Sequence, residues 1–224
     1  SGDIDIIKDN IFSINFRRFY LYDSLIGHWN IARESQINYI DGVFKFDTIN
    51  LLNDEQLLSF FGDIGSEITD SFKIDFKNFQ LKNIPVYLDF KNENSNLSGL
   101  VNSNICFQSL LNNAQFSTTL DVRSINYNNF EVGDLKFSSI WNDSSKKYIL
   151  DGELINENNE QEISLINASF APANNPDNRL NGRVSLNNTN VDFLNPFLPN
   201  KFLSDLKGTI NGDLSLKGTW SKPQ

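Results

Sequence analysis

Apolar and polar residues take turns along this chain. Across residues 206–220 every even position is apolar or glycine (Leu206, Gly208, Ile210, Gly212, Leu214, Leu216, Gly218, Trp220), and every odd position is polar. Shorter runs repeat the pattern: Phe72, Ile74 and Phe76; Val86, Leu88 and Phe90; Phe116, Thr118, Leu120 and Val122; Tyr148, Leu150, Gly152 and Leu154; Leu180, Gly182, Val184 and Leu186. A period of two over four to eight residues predicts a strand with one dry and one wet face. Ile4 and Ile6 predict another strand at the start. Polar clusters at residues 92–95, 142–145, 156–160 and Asn187-Asn188 predict hairpin loops, and residues 171–177 a longer one. Two short helices are expected: one over residues 54–61, capped by Asn53 and closed by Gly62, and a turn or two within residues 195–206, restrained by Pro196 and Pro199.

The alternation slips in a recurring way. Phe12-x-Ile14-x-Phe16-x-x-Phe19-x-Leu21 returns as Phe72-x-Ile74-x-Phe76-x-x-Phe79-x-Leu81. The same spacing is filled more loosely from Gly42, Phe44 and Phe46 to Ile49 and Leu51, from Thr118, Leu120 and Val122 to Ile125 and Tyr127, and from Gly182, Val184 and Leu186 to Thr189 and Val191. Chance alone would supply about two such matches at this hydrophobic content. One extra residue in a period-two pattern swaps the inward face unless a bulge, bend or corner absorbs it. Slips at corresponding places in successive strands predict a sheet that curls into a trough. Glycine on the inner side then relieves crowding where side chains converge.

Composition narrows the function classes. The 224 residues contain 39% hydrophobic residues, 19 Phe, no Met and 12% aromatics, enough for one large all-β domain or two small ones. A net charge of −9 excludes a basic footprint for nucleic acid and argues against docking on anionic lipid. Arg17-Arg18 and Lys146-Lys147 are isolated pairs expected on solvated faces. Cys106, alone between Ile105 and Phe107, is expected as a small buried hydrophobe, with no disulfide and no zinc-type spacing. No apolar run reaches the roughly 20 residues that span a bilayer. Ser1-Gly2 resembles a cloning scar, and both ends read as cuts within a longer protein.

Candidate chemistry is sparse. His28 is the only histidine, so any serine–histidine dyad must use it. The carboxylate pairs Asp3/Asp5 and Glu153/Glu157 are expected on wet strand faces rather than as glycosidase acids. Asp143 and Asp177 lack a calcium-loop signature, and the stretch from Gly208 to Gly212 lacks the Lys-Ser/Thr of a phosphate loop. Sequons at Asn96, Asn167 and Asn187 follow from an Asn-rich composition. No enzyme activity and no cofactor are expected.

"NPFLPNKFLSDLKGTINGDLSLKGTWSKPQ", with its Gly-x-x-x-Gly-x-Leu-x-Leu-x-Gly-Thr strand over residues 208–219 and trailing Lys222-Pro223, resembles the TamB family of AsmA-like proteins, in particular its Bacteroidetes type. "INYNNFEVGDLKFSSIW" (125–141) and "ASFAPANNPDNRLNGRVSL" (168–186) are similar to that family's strand modules, and "GHWNIARESQINYIDGVFKF" (27–46) more loosely so. The sequence departs from a whole family member in having neither the N-terminal membrane helix nor the domain that meets an outer-membrane barrel. The resemblance implies a β-taco: a long curved, U-shaped open sheet with an apolar groove, in the periplasm of a Gram-negative bacterium, in a parent protein anchored in the inner membrane. It also implies phospholipid transfer or outer-membrane biogenesis, with a TamA-like assembly barrel as partner through parts of the parent absent here.

The expected architecture is therefore all-β, one elongated segment over residues 1–224 with a weak subdivision near 92–104, roughly 16 to 18 strands at about 4.8 Å spacing. Ile74, Phe76, Leu88, Phe90, Leu120, Val122, Leu180, Val184, Leu186, Ile210, Leu214 and Leu216 are the expected groove lining, with phospholipid acyl chains or nascent β-strands as cargo. The alternative is a closed β-sandwich for adhesion or carbohydrate binding, its core the stripe Phe12, Phe16, Phe44, Phe72 and Phe76.

Overall fold

A computed structural model describes residues 2–8, 11–23, 27–83, 96–127, 130–156, 162–172, 179–191, 206–219 and 222–223. Strands fill most of them: β1 (Gly2–Lys8), β2 (Ile11–Phe16), β3 (Tyr20–Asp23), β4 (Gly27–Ile31), β5 (Ser35–Ile40), β6 (Val43–Asn53), β7 (Gln56–Ile64), β8 (Ser71–Gln80), β9 (Leu97–Gln108), β10 (Gln115–Tyr127), β11 (Phe130–Asn142), β12 (Lys147–Asn156), β13 (Glu162–Phe170), β14 (Leu180–Asn190), β15 (Thr209–Thr219) and β16 (Lys222–Pro223). A single 3-10 turn, Leu81–Asn83, is the helical material among the described residues. The fold is all-β. The strands form one sheet in the order β1-β2-β5-β6-β7-β8-β9-β10-β11-β12-β13-β14-β15-β16, with the β3–β4 hairpin joined through β4 to β6. The sheet is open, β1 and β16 standing at the two ends of that order. A closed sandwich needs a second sheet, which the described strands do not form.

Residue contacts divide the chain into two compact units, Ser1–Tyr87 with Val101–Thr118, and Leu88–Leu100 with Thr119–Gln224. In the first, the register sets Phe12 across from Tyr39, Tyr39 across from Phe44, and Phe44 across from Ile64. Paired residues share a face, so the alternation turns into rows of apolar side chains running across the strands. Asp41 and Gly42, both at positive φ, close the β5–β6 hairpin in the two-residue turn whose twist suits flanking strands.

The slips are absorbed as the spacing predicts. In β6, Phe46 pairs with Gly62 but Ile49 pairs with Phe60, so two residues of β6 oppose one of β7. In β14, Leu186 pairs with Gly212 but Thr189 pairs with Ile210. Each bulge keeps the apolar residues before and after it on one face. Asn187-Asn188 is consequently not a hairpin loop but the bulge inside β14, and Asn188 takes a left-handed φ of 50°. Asn78 (φ 52°) in β8 and Ser124 (φ 53°) in β10 occupy the same place in their copies of the motif. The peptide N–H of each left-handed residue donates to a side chain of the next strand: Asn78 to Asn102 Oδ1 at 3.0 Å, Ser124 to Asp134 Oδ1 at 2.7 Å, Asn188 to Asn211 Oδ1 at 2.7 Å. In the first copy β2 ends at Phe16, and the chain passes through Arg17, Arg18 and Phe19 into β3.

One element differs in type. Residues 54–61 do not form a helix: Asp54 and Glu55 make a turn, and Gln56 begins β7. The spacing of Leu57, Leu58, Phe60 and Phe61 suits a helix, yet it equally suits a strand apolar on both faces. Leu58 and Phe60 pair with Phe76 and Ile74 on the inner face, while Phe61 pairs with Lys73 on the other, the Lys73 ammonium 5.8 Å from its ring centre. Gly62 is no helix cap. Its φ is +101°, and a Cβ there would stand 2.2 Å from the carbonyl oxygen of Ser71. The second expected helical turn, together with the strand expected at Val86, Leu88 and Phe90, lies outside the described residues.

Candidate apolar faces

In the second unit the register of β11 to β15 aligns three transverse rows. Phe137, Gly152, Ile166, Val184 and Leu214 form one. Ser139, Leu150, Ala168, Gly182 and Leu216 form the next, and Trp141, Tyr148, Phe170, Leu180 and Gly218 the third. All three belong to one face. The glycines stand between larger neighbours: a Cβ on Gly152 would lie 3.3 Å from Phe137 and 3.4 Å from Ile166, and one on Gly182 would lie 2.8 Å from the Cβ of Ala168. Flanking side chains converge over them, and a methyl group would have to displace a neighbour. Gly212, at the outermost of these strands, meets nothing within 4 Å.

This face is apolar but not sealed. Leu214 and Ile210 keep 54% and 43% of their surface exposed, and Leu180, Val184, Leu186 and Leu216 are half-buried. Trp141 is held at one end, its indole N–H donating to Asp143 Oδ1 at 3.0 Å and its ring set edge-on to Tyr148 at 5.0 Å. That bond, with a second from Lys146, lowers the Asp143 pKa. The opposite face is mixed: Ile140 and Leu165 are exposed there among charged and polar groups. Arg183 on β14 holds Asp213 on β15 through two bonds of 2.9 and 2.6 Å, and the Ser185 hydroxyl adds a third at 2.7 Å. These hydrogen bonds, Arg183 first, bring the Asp213 carboxyl down to about 2.

In the first unit the inner face is aromatic. Phe12 stacks on Tyr39 at 5.0 Å, and Phe46 meets Phe72 at 4.9 Å although β7 lies between their strands. The residue between them is Gly62, paired with both. A glycine bridged by large side chains thus occurs in both units. Trp29, buried in β4, stacks on Phe79 of β8 at 6.0 Å.

The expected lining residues distribute as follows. Ile74 and Phe76 lie on the inner face of the first unit, half-buried against Phe60 and Leu58. Leu180, Val184, Leu186, Ile210, Leu214 and Leu216 share the apolar face of the second. Val122 is buried and Leu120 half-buried in β10, and Leu88 and Phe90 lie outside the described residues. Phe137, Trp141, Leu150, Ile166 and Phe170 were not expected in the lining; Leu150 stands in an alternating run, and register brings in the other four. Phe137, Trp141, Ile166 and Phe170 sit within mixed runs where alternation is weaker. Of the chemical candidates, His28 packs its ring 4.3 Å from Tyr22, Glu153 lies on the mixed face across from Lys136, and Cys106 is half-buried in β9.

Such a face has no directional chemistry to offer, only area: about 25 cal/mol for each Å² of apolar surface removed from water. A family model described as "TamB, N-terminal domain" matches residues 10–224. The chain belongs to the TamB family. Neither curated proteins nor solved structures give a match. The open, all-β sheet of this TamB-family chain agrees with the expected fold class, and the short helix expected from the Asn53 cap and Gly62 is instead strand β7.

Proposed function

We propose that this TamB-family chain is a non-enzymatic conduit segment that carries phospholipid acyl chains along its apolar sheet face. One observation supports the reading most: Leu214 and Ile210 line a continuous apolar face yet stay about half exposed. A face of that kind holds a hydrocarbon chain by burial alone, at about 0.8 kcal/mol per methylene. Non-directional attraction lets a chain slide, whereas a polar pocket would fix it. Family membership supports a role in a translocation and assembly module, and with it a periplasmic site, an inner-membrane anchor in the parent protein and a TamA-like outer-membrane barrel as partner. Nascent outer-membrane strands are the rival cargo.

Photo-crosslinking side chains placed at Ile210 and Leu214 test this. Phospholipid adducts at both positions are expected. Their absence, with a known lipid carrier labelled efficiently alongside, overturns the lipid reading, and adducts to an unfolded outer-membrane protein alone transfer it to strand cargo. Leu214→Arg should stop lipid capture while the chain stays folded, because the guanidinium reaches solvent from a half-exposed site. Unfolding of that variant would mark sealed core instead.

A further inference from the structure

Asparagine followed by glycine occurs twice in the chain, at Asn181-Gly182 and Asn211-Gly212. In such a pair a carboxamide carbon is followed directly by a main-chain nitrogen that no Cβ crowds. The fold treats the two pairs differently. β14 is paired on both edges, with β13 and β15, and a Cβ on Gly182 would lie 2.8 Å from that of Ala168. β15 is paired along its length with β14 alone, and on its other edge only Gly218 and Thr219 meet a strand, β16, among the described residues. Asn211 and Gly212 are exposed, and nothing lies within 4 Å of a Cβ placed on Gly212.

Asn211 also faces the bulge in β14, where the N–H of left-handed Asn188 donates to its Oδ1 at 2.7 Å. A donor on that oxygen draws charge from Cγ and stabilises the oxyanion that forms when Cγ is attacked. Ring closure between Cγ and the Gly212 nitrogen requires the backbone of β15 to rotate out of its ladder. A strand held on one edge opens in this way more readily than a strand held on two.

We propose that Asn211 is a site of spontaneous deamidation and that the bulge determines which product the sheet tolerates. The Gly212 nitrogen, giving its proton to a solvent base, attacks Cγ of Asn211. A C–N bond forms, and the side-chain nitrogen leaves as ammonia with a proton from water. Water then adds to one of the two carbonyl carbons of the succinimide and breaks that carbon's bond to nitrogen. Breaking the bond to Cγ yields aspartate, and breaking the bond to the main-chain carbon yields isoaspartate. One water is consumed and one ammonia released, with no change of oxidation state. Aspartate keeps an oxygen for the N–H of Asn188, as Asp134 does for Ser124 at the equivalent position in β10. Isoaspartate routes the main chain through Cβ and Cγ, adding one atom to β15 opposite Asn187 and Asn188. The bulge depends on β14 being longer than β15 at that point, so the added atom spoils the fit. Ile210 and Leu214 stand on the same strand, and the exposed end of the apolar face therefore ages first.

Incubation of the full chain at mildly alkaline pH, followed by tryptic mapping, tests the assignment. Cuts after Arg179, Arg183, Lys207 and Lys217 place Asn181 in the peptide 180–183 and Asn211 in the peptide 208–217. The mass gain of an amide converted to an acid should appear in the second peptide roughly tenfold faster than in the first, because the edge strand opens more often. In concentrated urea the two rates should converge, since the reacting dipeptide is the same. Asn211→Asp should melt at the parent's temperature. The isoaspartyl form, separated by chromatography and identified by its labelling with an isoaspartyl methyltransferase, should melt below it. Equal rates at the two sites in the folded chain, or a difference that persists in urea, overturn the site. Equal melting of the isoaspartyl form and Asn211→Asp overturns the role given to the bulge.

Discussion

Trp29 and Phe79 stack with ring centres 6.0 Å apart although their strands are three steps apart in the order β4-β6-β7-β8. Three steps along a flat sheet measure about 14 Å. The rings meet because the first unit's sheet bends round the face they share, and both side chains are buried as a result. Trp29→Ala should cost about 3–5 kcal/mol, and Phe79→Ala a similar amount. Because the two share one contact, the double variant should cost less than the sum, as urea denaturation of all four proteins would show. Additive losses would mean that the rings are anchored independently.

The glycines between large residues predict graded costs. Gly62→Ala places a Cβ 2.2 Å from a backbone carbonyl at a φ of +101°, so the backbone itself must move. A loss of about 2–4 kcal/mol is expected. At Gly152 the same methyl meets only side chains, at 3.3 and 3.4 Å, and the loss should stay near 1 kcal/mol. Equal melting temperatures for the two variants would contradict this ranking.

The slip motif predicts which replacements a left-handed position tolerates. Ser124 has φ 53° and a peptide N–H held by Asp134. Ser124→Gly should be neutral or slightly stabilising, and Ser124→Val should cost about 1–2 kcal/mol. Asp134→Ala removes the acceptor and should cost about 1–2 kcal/mol, whereas Asp134→Asn, which keeps an oxygen in place, should cost less. Thermal melts of the four variants give the order directly.

Asp213 predicts a pH dependence confined to acid. Its folded pKa is lowered to about 2 by Arg183 and Ser185, beneath the ordinary carboxylate value. Protonation therefore favours the unfolded chain, and the pair's contribution is present above about pH 4 and lost as pH falls toward 2. The pair is exposed, so the effect is small. The gap in melting temperature between the parent chain and Asp213→Asn should be constant from pH 7 to 5 and close between pH 4 and 2. A gap that widens in acid would assign Asp213 another role.

Much of this architecture could be read directly from residue order. Alternation is a property of successive residues, because neighbouring side chains of a strand point to opposite faces whatever stands beside it. It located β10, β12, β14 and β15, and the extra residue in the slip motif foretold the bulges at Phe46/Ile49 and Leu186/Thr189. The family was legible in the glycine spacing of the last ribbon. Where local pattern admitted two answers, tertiary pairing chose. Residues 54–61 satisfy a helix and a two-sided strand alike, and hydrogen bonding to β6 and β8 selected the strand. Asn187-Asn188 suits a loop tip as well as a left-handed bulge, and the Asn211 side chain across the ladder stabilised the bulge. Which residues stand side by side in transverse rows, and that Trp29 reaches Phe79, depend on register and curvature. Those are set between strands distant in the chain, so only the folded sheet decides them.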